Sequence, residues 1–353
     1  MKRAIGILAN DIHLNKDNGV LVKDIFKQAV NVCKKYDTNN LFCGGDIFTN
    51  RSGQPLQCLT DWKEILLNLQ QSGIRIYAIP GNHDKTSATD EKSYLDVYSD
   101  DCLKTFRTSG FETFENVLVA FIPYFDDERW LEEYKRLEKR ISNTNQKVKI
   151  LITHSGFDGV MNNDGSTVES VIKPSMFADW TKVLIGHYHN ASRLADNVFY
   201  TGSVYQNNFG ENITDKGFTV IYTDGSIEFV PSKFPCYIKE TVQATDKETL
   251  RNLLEKYAGE TYHHIRFVIR GTKQQCEKFN VSEIIKAGID VKFEIDELTH
   301  AMDISEQDTV LSFDKKTITK DFLKFCSENE ITGEKLKYGF DLIKQIKFIH
   351  NTY

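Results

Sequence analysis

The sequence lacks a basic excess, paired cysteines and any long apolar run. Its 44 Lys and Arg stand against 50 Asp and Glu, so the formal net charge is −6 and the basic surplus usual in nucleic-acid binders is missing. The seven cysteines are scattered without a CxxC pair, which excludes a zinc knuckle and predicts reduced thiols rather than a disulfide framework. No window approaches the roughly 20 apolar residues of a membrane span. The apolar run 4–9 ends too early for a signal peptide, so we expect a soluble, cytoplasmic protein with no membrane contact.

Short apolar runs alternate with amphipathic stretches over the first half of the chain, which predicts an α/β architecture with helices covering a sheet. The predicted strands occupy 4–9, 41–43, 74–79, 117–122, 148–153 and 183–185, and the predicted helices lie near 21–33, 59–69 and 127–141. From 198 to 230 strands with glycine turns replace the helices, which indicates a second sheet or a sheet edge.

Two prolines in the run 231–235 mark a boundary, so we expect a main domain over 1–232. A smaller β-α-β-α-β unit is predicted over 236–296, its first helix opened by a capping box from Thr245 to Glu248. Residues 297–318 are acidic and polar and read as a linker. Amphipathic helices at about 319–328 and 333–349 are expected to close the chain, in a helical segment over 319–353.

Five short polar runs follow predicted strands and contain five of the nine histidines, together with acids, asparagine and glycine. They are Asp11-Ile12-His13, Gly45-Asp46, Gly81-Asn82-His83-Asp84, His154 and Gly186-His187-Tyr188-His189. A spacing of two residues at a strand end puts both side chains on one face, where they can converge on one ion. Ligands bind at the carboxyl ends of strands in open α/β sheets, where all five runs are expected to lie.

The residue types in these runs indicate a metal site. Carboxylate, imidazole and amide oxygen without thiolate suit manganese, iron or zinc in a hydrolytic centre better than a structural zinc site. There are too many of them for one ion, whereas two ions could clamp a phosphate and activate water. A D-x-H or G-D run alone is mostly ordinary turn chemistry, whereas G-N-H-D is more specific. Four histidines outside the runs are expected to be surface or packing residues: His263, His264, His300 and His350.

The ordered set D-x-H, G-D, G-N-H-D, H and G-H-x-H resembles the calcineurin-like metallophosphoesterase superfamily over residues 4–189. The resemblance implies a two-sheet core flanked by helices and two divalent ions, manganese first, with magnesium, iron or zinc as alternatives. It also implies His83 as general acid, with Asp84 orienting its ring. By the same resemblance Asp46 bridges the ions, one held with Asp11, His13 and His189 and the other with Asn82, His154 and His187.

Further residues narrow the resemblance to the SbcD-type nuclease subunit in its short, phage-like form. Phe48 follows the Gly-Asp-Ile run, and Ile122-Pro123-Tyr124 closes a strand. A glycine-rich block over 200–218 includes Glu211 and Lys216. The phosphatase signature G-D-x-x-D-R-G is absent, since the arginine, Arg51, stands one place late. Thr49 departs from the pattern, because relatives often carry His or Asp there.

This narrower resemblance implies a DNA exonuclease or endonuclease, the nuclease subunit of an SbcCD-like complex for DNA break processing and recombination. The partners would be DNA, an SbcC-type coiled-coil ATPase bound by 319–353, and a second copy contacting through 57–71 and 94–107. Residues 236–296 would be a DNA-binding capping domain, and the host cytoplasm would be the location of a phage-encoded protein. Residues beside the metal motifs are candidate phosphate contacts: Arg51, Lys85, Arg193 and Lys16. A small-molecule phosphodiesterase or phosphatase, or an inactive scaffold, remains the alternative.

Overall fold

A computed structural model describes residues 2–98, 101–161 and 166–296, together with Phe322. The described residues up to Glu294 form one compact unit. The linker expected over 297–318 and the closing helices expected within 319–353 lie outside the described residues, apart from Phe322. They stay predictions, as does the domain boundary near 232–236. None of the helices among the described residues is long and apolar enough to cross a membrane.

Fifteen strands are present in the described part of the chain. In order they are β1 (Ala4–Ala9), β2 (Asn40–Cys43), β3 (Arg75–Ala78), β4 (Leu103–Thr105), β5 (Gly110–Phe114), β6 (Val117–Ile122), β7 (Val148–His154), β8 (Lys182–Gly186), β9 (Ser192–Ala195), β10 (Val198–Tyr200), β11 (Gly217–Tyr222), β12 (Ile227–Pro231), β13 (Tyr237–Gln243), β14 (His264–Gly271) and β15 (Asp290–Ile295).

Six α-helices accompany these strands within the same residues. They are α1 (Gly19–Lys35), α2 (Leu56–Gln71), α3 (Asp127–Ile141), α4 (Lys247–Lys256), α5 (Lys273–Glu277) and α6 (Ser282–Lys286). The helices predicted from apolar periodicity near 21–33, 59–69 and 127–141 are confirmed. Helix α3 begins where the Asp126 carboxylate accepts a hydrogen bond from the backbone N–H of Arg129, at 2.9 Å.

Two six-stranded mixed sheets form the main part of the fold, which confirms the predicted α/β class. The first has the order β12-β11-β1-β2-β3-β4 and the second β5-β6-β7-β8-β10-β9. Strands β1 to β4 are mutually parallel, as are β6, β7, β8 and β10, and antiparallel strands lie at the edges. Parallel neighbours end at the same side of a sheet, so the loops after β1, β2, β3, β7 and β8 can meet there.

The two sheets pack face to face, and helices cover their outer faces. Apolar residues of β1 and β2, such as Leu8 and Phe42, join Phe121 and Ile152 of β6 and β7 in one buried cluster. Helices α1 and α2 pack on the first sheet, and α3 packs on the second. Strands buried on both faces need nearly continuous apolar runs, which is why β1 and β6 were recognisable in the sequence.

The capping segment, residues 236–296, forms a separate three-stranded sheet in the order β13-β14-β15 with its own buried cluster. Strands β13 and β14 are parallel and in register from Tyr237 with His264 to Gln243 with Arg270. The predicted capping box is wrong, because the N-cap of α4 is Asp246, whose carboxylate accepts from Thr249 N at 2.9 Å, and not Thr245. Helix α5, which begins at the capping box of Thr272, was not predicted.

Candidate metal centre

All five predicted polar runs meet at the carboxyl ends of the parallel strands. The runs that contain Asp11, Asp46 and Asn82 follow β1, β2 and β3 of the first sheet, and His154 ends β7 of the second. His187 and His189 follow β8. The carboxylates of Asp11 and Asp46 are buried, as are the side chains of Asn82 and His154. The site therefore lies at the carboxyl ends of parallel strands from both sheets.

Left-handed backbone at the polar runs aims several of these side chains inward. The φ angles are 53° at Asp11, 49° at His13, 52° at Asp46 and 97° at His187, values that non-glycine residues rarely adopt. The expectation that the pleat of a strand aligns Asp11 with His13 is wrong, because β1 ends at Ala9. Tight turns stabilised by the rest of the fold direct these side chains instead.

Small residues allow the loops to approach one another closely. Gly45 has φ +104°, and a Cβ there would collide with the ring of His154. A Cβ on Gly81 would collide with the carboxylate of Asp46. Both glycines therefore provide the space that the acidic and imidazole groups occupy.

Potential ligand atoms form overlapping groups in which all atoms lie within 4.8 Å of one another. One group contains Asp11, His13 and His189, and the Nε2 atoms of its two histidines are 2.9 Å apart. A second contains Asp46, His154 and His187, and a third, made of His13, Asp46 and His83, shares His13 with the first group and Asp46 with the second. His187 and His189 thus belong to different groups, although their spacing alone allowed one ion for both.

Asp46 belongs to the second group and also lies close to the first, and Asn82 completes the second. Asp46 Oδ2 is 3.6 Å from His13 Nε2 and 3.4 Å from His154 Nε2. Asn82 Oδ1 is 3.0 Å from His154 Nε2 and 2.9 Å from His187 Nδ1. The structure thus brings together all seven residues predicted as ligands. Their roles as metal ligands stay predictions.

Charge and burial prepare the cluster for cations. Burial lowers the pKa of His13 and of His187 to about 3, so both imidazoles are neutral, as ligation requires. Burial would raise the pKa of Asp46, but His154 and His13 hold the pKa of that carboxyl well below its usual range. Burial opposes charge on His154 as well, yet the Asp46 carboxylate raises the pKa of that ring to about 9, so a metal ion bound there would displace a proton from it. The donor set of carboxylates, imidazoles and one amide oxygen fits divalent metal ions.

His83 lies beside the first group, but its ring contact differs from the expected one. Its ring packs edge-on against His13 with centroids 5.0 Å apart, and its backbone N–H donates to Asp46 Oδ1 at 2.8 Å. His83 Nδ1 is hydrogen-bonded to the carbonyl oxygen of Thr49. The expectation that Asp84 orients this ring is therefore wrong in the structure.

Asp84 instead ties two backbone segments together. Its carboxylate accepts from Ile47 N at 3.2 Å, Phe48 N at 2.9 Å and Gly81 N at 2.9 Å. Burial raises the pKa of Asp84 to about 7. The side chain holds the loops after β2 and β3 against each other, so it supports the positions of Asp46 and His83 indirectly.

The prediction that Lys85 contacts a phosphate is wrong. Its side chain is buried, Nζ donates to Tyr124 O at 2.6 Å, and Nζ lies 3.8 Å from the centre of the Phe125 ring. A buried ammonium with these partners is not available to a nucleic acid. Arg51, Arg193 and Lys16 are exposed. Burial is the main reason that the pKa of His187 is lowered, and the nearby Arg51 cation lowers it further. Their role as phosphate contacts stays a prediction.

Two contacts at the site could not be predicted from the sequence. The carbonyl of Thr49 is a backbone group, so no side-chain pattern could reveal its contact with His83. Glu211 accepts from His189 Nδ1 at 2.8 Å. Glu211 was part of the glycine-rich block, but a separation of 22 residues from His189 carries no signal of contact.

Comparison with known proteins identifies relatives of the chain. The profile of the family described as Calcineurin-like phosphoesterase matches residues 7–193. Exonuclease subunit 1 of Enterobacteria phage T4 is 24% identical over 236 residues, covering 65% of this chain and 65% of the relative. Putative phosphoesterase 078R of Invertebrate iridescent virus 3 is 22% identical, covering 63% and 61%. The chain thus matches less than two thirds of each of these relatives' length.

Solved structures show limited similarity. A dimetal phosphatase from Danio rerio gives a TM-score of 0.40 at 11% identity, covering 62% of this chain and 93% of its own. A nuclease MPE from Pseudomonas putida gives 0.27 at 11% identity, covering 63% and 86%.

Proposed function

We propose, since the chain belongs to the calcineurin-like phosphoesterase family, that it is a metal-dependent nuclease that hydrolyses DNA phosphodiesters with two divalent ions. The observation that carries the proposal is the convergence of seven ligand-type side chains, Asp46 between the two groups, beside His83. The similarity to an exonuclease subunit of phage T4 favours DNA as the substrate.

Bound ions, manganese in the first instance, would supply electrostatic stabilisation of the phosphate and of the departing oxygen. Asp11, His13 and His189 would hold one ion, and Asn82, His154 and His187 the other, with Asp46 between them. His83 would donate a proton to the leaving sugar oxygen. Because Thr49 O accepts the hydrogen bond of His83 Nδ1, Nε2 is the nitrogen that remains for this transfer.

His187 and His189 of the metal groups also line a groove. It has a volume of about 480 Å³ and is lined by His187, His189, Tyr188, Met161 and others. Met161 is exposed at its edge. Arg51, Arg193 and Lys16 would contact phosphates of the strand, since their exposed cations flank the polar runs.

The relative in phage T4 is named as a subunit. On that basis we extend the proposal to a role in DNA break processing and recombination, with a coiled-coil ATPase of the SbcC type bound by 319–353. The capping segment would contact DNA, and two copies would associate through 57–71 and 94–107. The compartment would be the cytoplasm, that of the host for a phage-encoded protein.

A substrate panel tests the proposal. The purified protein is incubated with Mn²⁺ and linear duplex DNA, single-stranded DNA or bis-p-nitrophenyl phosphate, with Asp46→Asn as the negative control. We expect hydrolysis of DNA by the wild type and none by the variant. Activity restricted to the small ester would favour a small-molecule phosphodiesterase and contradict the nuclease.

A further inference from the structure

Two charged side chains behind the metal groups are almost completely buried. Glu211 is 6% exposed and Lys216 is 1% exposed. Charged side chains are rarely buried to this extent unless they are paired, because their desolvation is unfavourable. Lys216 Nζ is 3.6 Å from Glu211 Oε2 and 3.1 Å from Asp215 Oδ1. Burying both charges costs desolvation free energy, and the contacts between Lys216, Glu211 and Asp215 offset part of that cost.

The Glu211 carboxylate contacts the ring of a predicted metal ligand. Its Oε1 is 2.8 Å from His189 Nδ1 and also accepts from Asn208 Nδ2 at 2.9 Å. An acceptor at Nδ1 places the ring proton there, so Nε2 has the lone pair. That Nε2 is the atom that faces His13 Nε2 across 2.9 Å. Glu211 therefore selects the tautomer of His189 in which Nε2 can bind an ion.

Packing alone does not hold this ring. The side chain of His189 is 24% exposed, against 9% for His13. The backbone of His189 is secured separately, since its carbonyl accepts from Lys216 Nζ and from Ser203 N at 3.0 Å. The side-chain torsions of His189 are still free to rotate, and the hydrogen bond to Glu211 restricts them.

We propose that Glu211 is a positioning residue that orients His189 toward the first ion. The inference rests on the metal centre of the proposed function. In this role the Glu211 carboxylate accepts the hydrogen bond of His189 Nδ1, fixes the orientation of the ring and increases its basicity, as partners of metal-bound histidines do.

The position of Glu211 is in turn fixed from the capping segment. Gln206 Nε2 donates to the Glu211 carbonyl at 2.8 Å and to Tyr237 O at 3.1 Å, and Gln206 Oε1 accepts from Tyr237 N at 2.7 Å. Asn207 N donates to Glu211 Oε2 at 3.1 Å. The loop that carries Glu211 is thus anchored to strand β13, and the carboxylate is in place for His189 through contacts within the chain.

Mn²⁺ binding to Glu211→Gln tests the inference without an activity assay. Calorimetry and electron paramagnetic resonance would follow the two ions in the wild type, in Glu211→Gln and in Glu211→Asp. We expect Glu211→Gln to weaken one ion about 10- to 100-fold and to leave the other within about twofold. Glu211→Asp keeps the charge and should recover part of the loss.

Glu133→Gln is the matched control. Glu133 is a fully buried glutamate of α3 that accepts from Ser109 N at 2.9 Å, and its contacts do not include the metal groups. We expect both of its ions to bind within about twofold of the wild type, although the protein is destabilised. If Glu211→Gln bound both ions with wild-type affinity, the role of Glu211 would be contradicted and the metal centre of the proposed function would not. A wild type that binds fewer than two ions would contradict the metal centre itself.

A measurement on the wild type covers the case in which Glu211→Gln does not fold. Long-range ¹H–¹⁵N correlation spectra of the ¹⁵N-histidine-labelled, Zn²⁺-loaded protein report which nitrogen has the proton. We expect His189 to have it on Nδ1. A proton on Nε2 of His189 would overturn the inference.

Discussion

His13 and His189 face each other through their Nε2 atoms at 2.9 Å although 176 residues separate them in the chain. Burial lowers the pKa of His13 to about 3, so its ring contributes a lone pair rather than a charge. Two imidazoles that converge in this way beside Asp11 and Asp46 form a site for a cation. Several consequences can be measured.

Removal of divalent ions should destabilise the protein. Ions that bind only the folded chain add about 2.7 kcal/mol per site at a concentration 100 times the dissociation constant. We expect EDTA to lower the midpoint of thermal unfolding and Mn²⁺ to restore it. In Asp46→Asn most of this gain should disappear, while Asp196→Asn, at an exposed site, should respond as the wild type does. An equal gain in both variants would argue against Asp46 as a ligand.

His83→Gln should reduce kcat for DNA by about 10²- to 10⁴-fold through the loss of a general acid. Both Mn²⁺ ions should still bind, because His83 is not a predicted ligand. The p-nitrophenolate of bis-p-nitrophenyl phosphate needs little protonation, so hydrolysis of that ester should fall much less. Equal losses on DNA and on the ester would show that His83 has another role.

Asp84→Asn should act on stability. The amide of Asn cannot accept all three hydrogen bonds from Ile47 N, Phe48 N and Gly81 N, and a lost buried partner costs about 1–3 kcal/mol. Urea unfolding would measure the change in the free energy of unfolding. An unchanged free energy together with an altered pH profile of kcat would instead support direct action of Asp84 on His83.

Lys85 should make stability depend on pH in the alkaline range. Burial lowers the pKa of Lys85 to about 8, whereas an unfolded lysine titrates near 10.4. Between these values the unfolded chain binds more protons, so this residue makes stability rise with pH, by up to about 3 kcal/mol in total. We expect Lys85→Met to reduce that slope and Lys147→Met, at an exposed site, to leave it unchanged. Equal slopes in all three proteins would place the Lys85 ammonium in solvent.

Long apolar or amphipathic elements could be predicted from the sequence, and short polar ones could not. Strands β1 and β6 are six-residue apolar runs and were found. Strand β4 has three residues and β9 has Ser192 and Arg193 exposed, so neither has a pattern that distinguishes it from a loop. Their pairing depends on neighbouring strands that are distant in sequence.

The seven side chains that meet at the site could be predicted because their types and order carry the chemistry of the predicted metal centre. Burial and backbone contacts could not, and the wrong assignments of Lys85 and Asp84 come from them. Lys85 looks like a surface charge until the Phe125 ring covers it. Asp84 looks like a partner of His83 until the backbone N–H groups of Ile47 and Phe48 are seen to occupy it.

The central claim is that this chain hydrolyses DNA at a centre of two ions joined by Asp46. The most direct test measures Mn²⁺ bound per chain and the rate of nucleotide release from end-labelled linear DNA on the same samples of wild type and Asp46→Asn. We predict two ions per wild-type chain, nuclease activity that rises as the second ion binds, and loss of both in the variant. Nuclease activity in metal-free protein, or undiminished activity in Asp46→Asn, would contradict the claim.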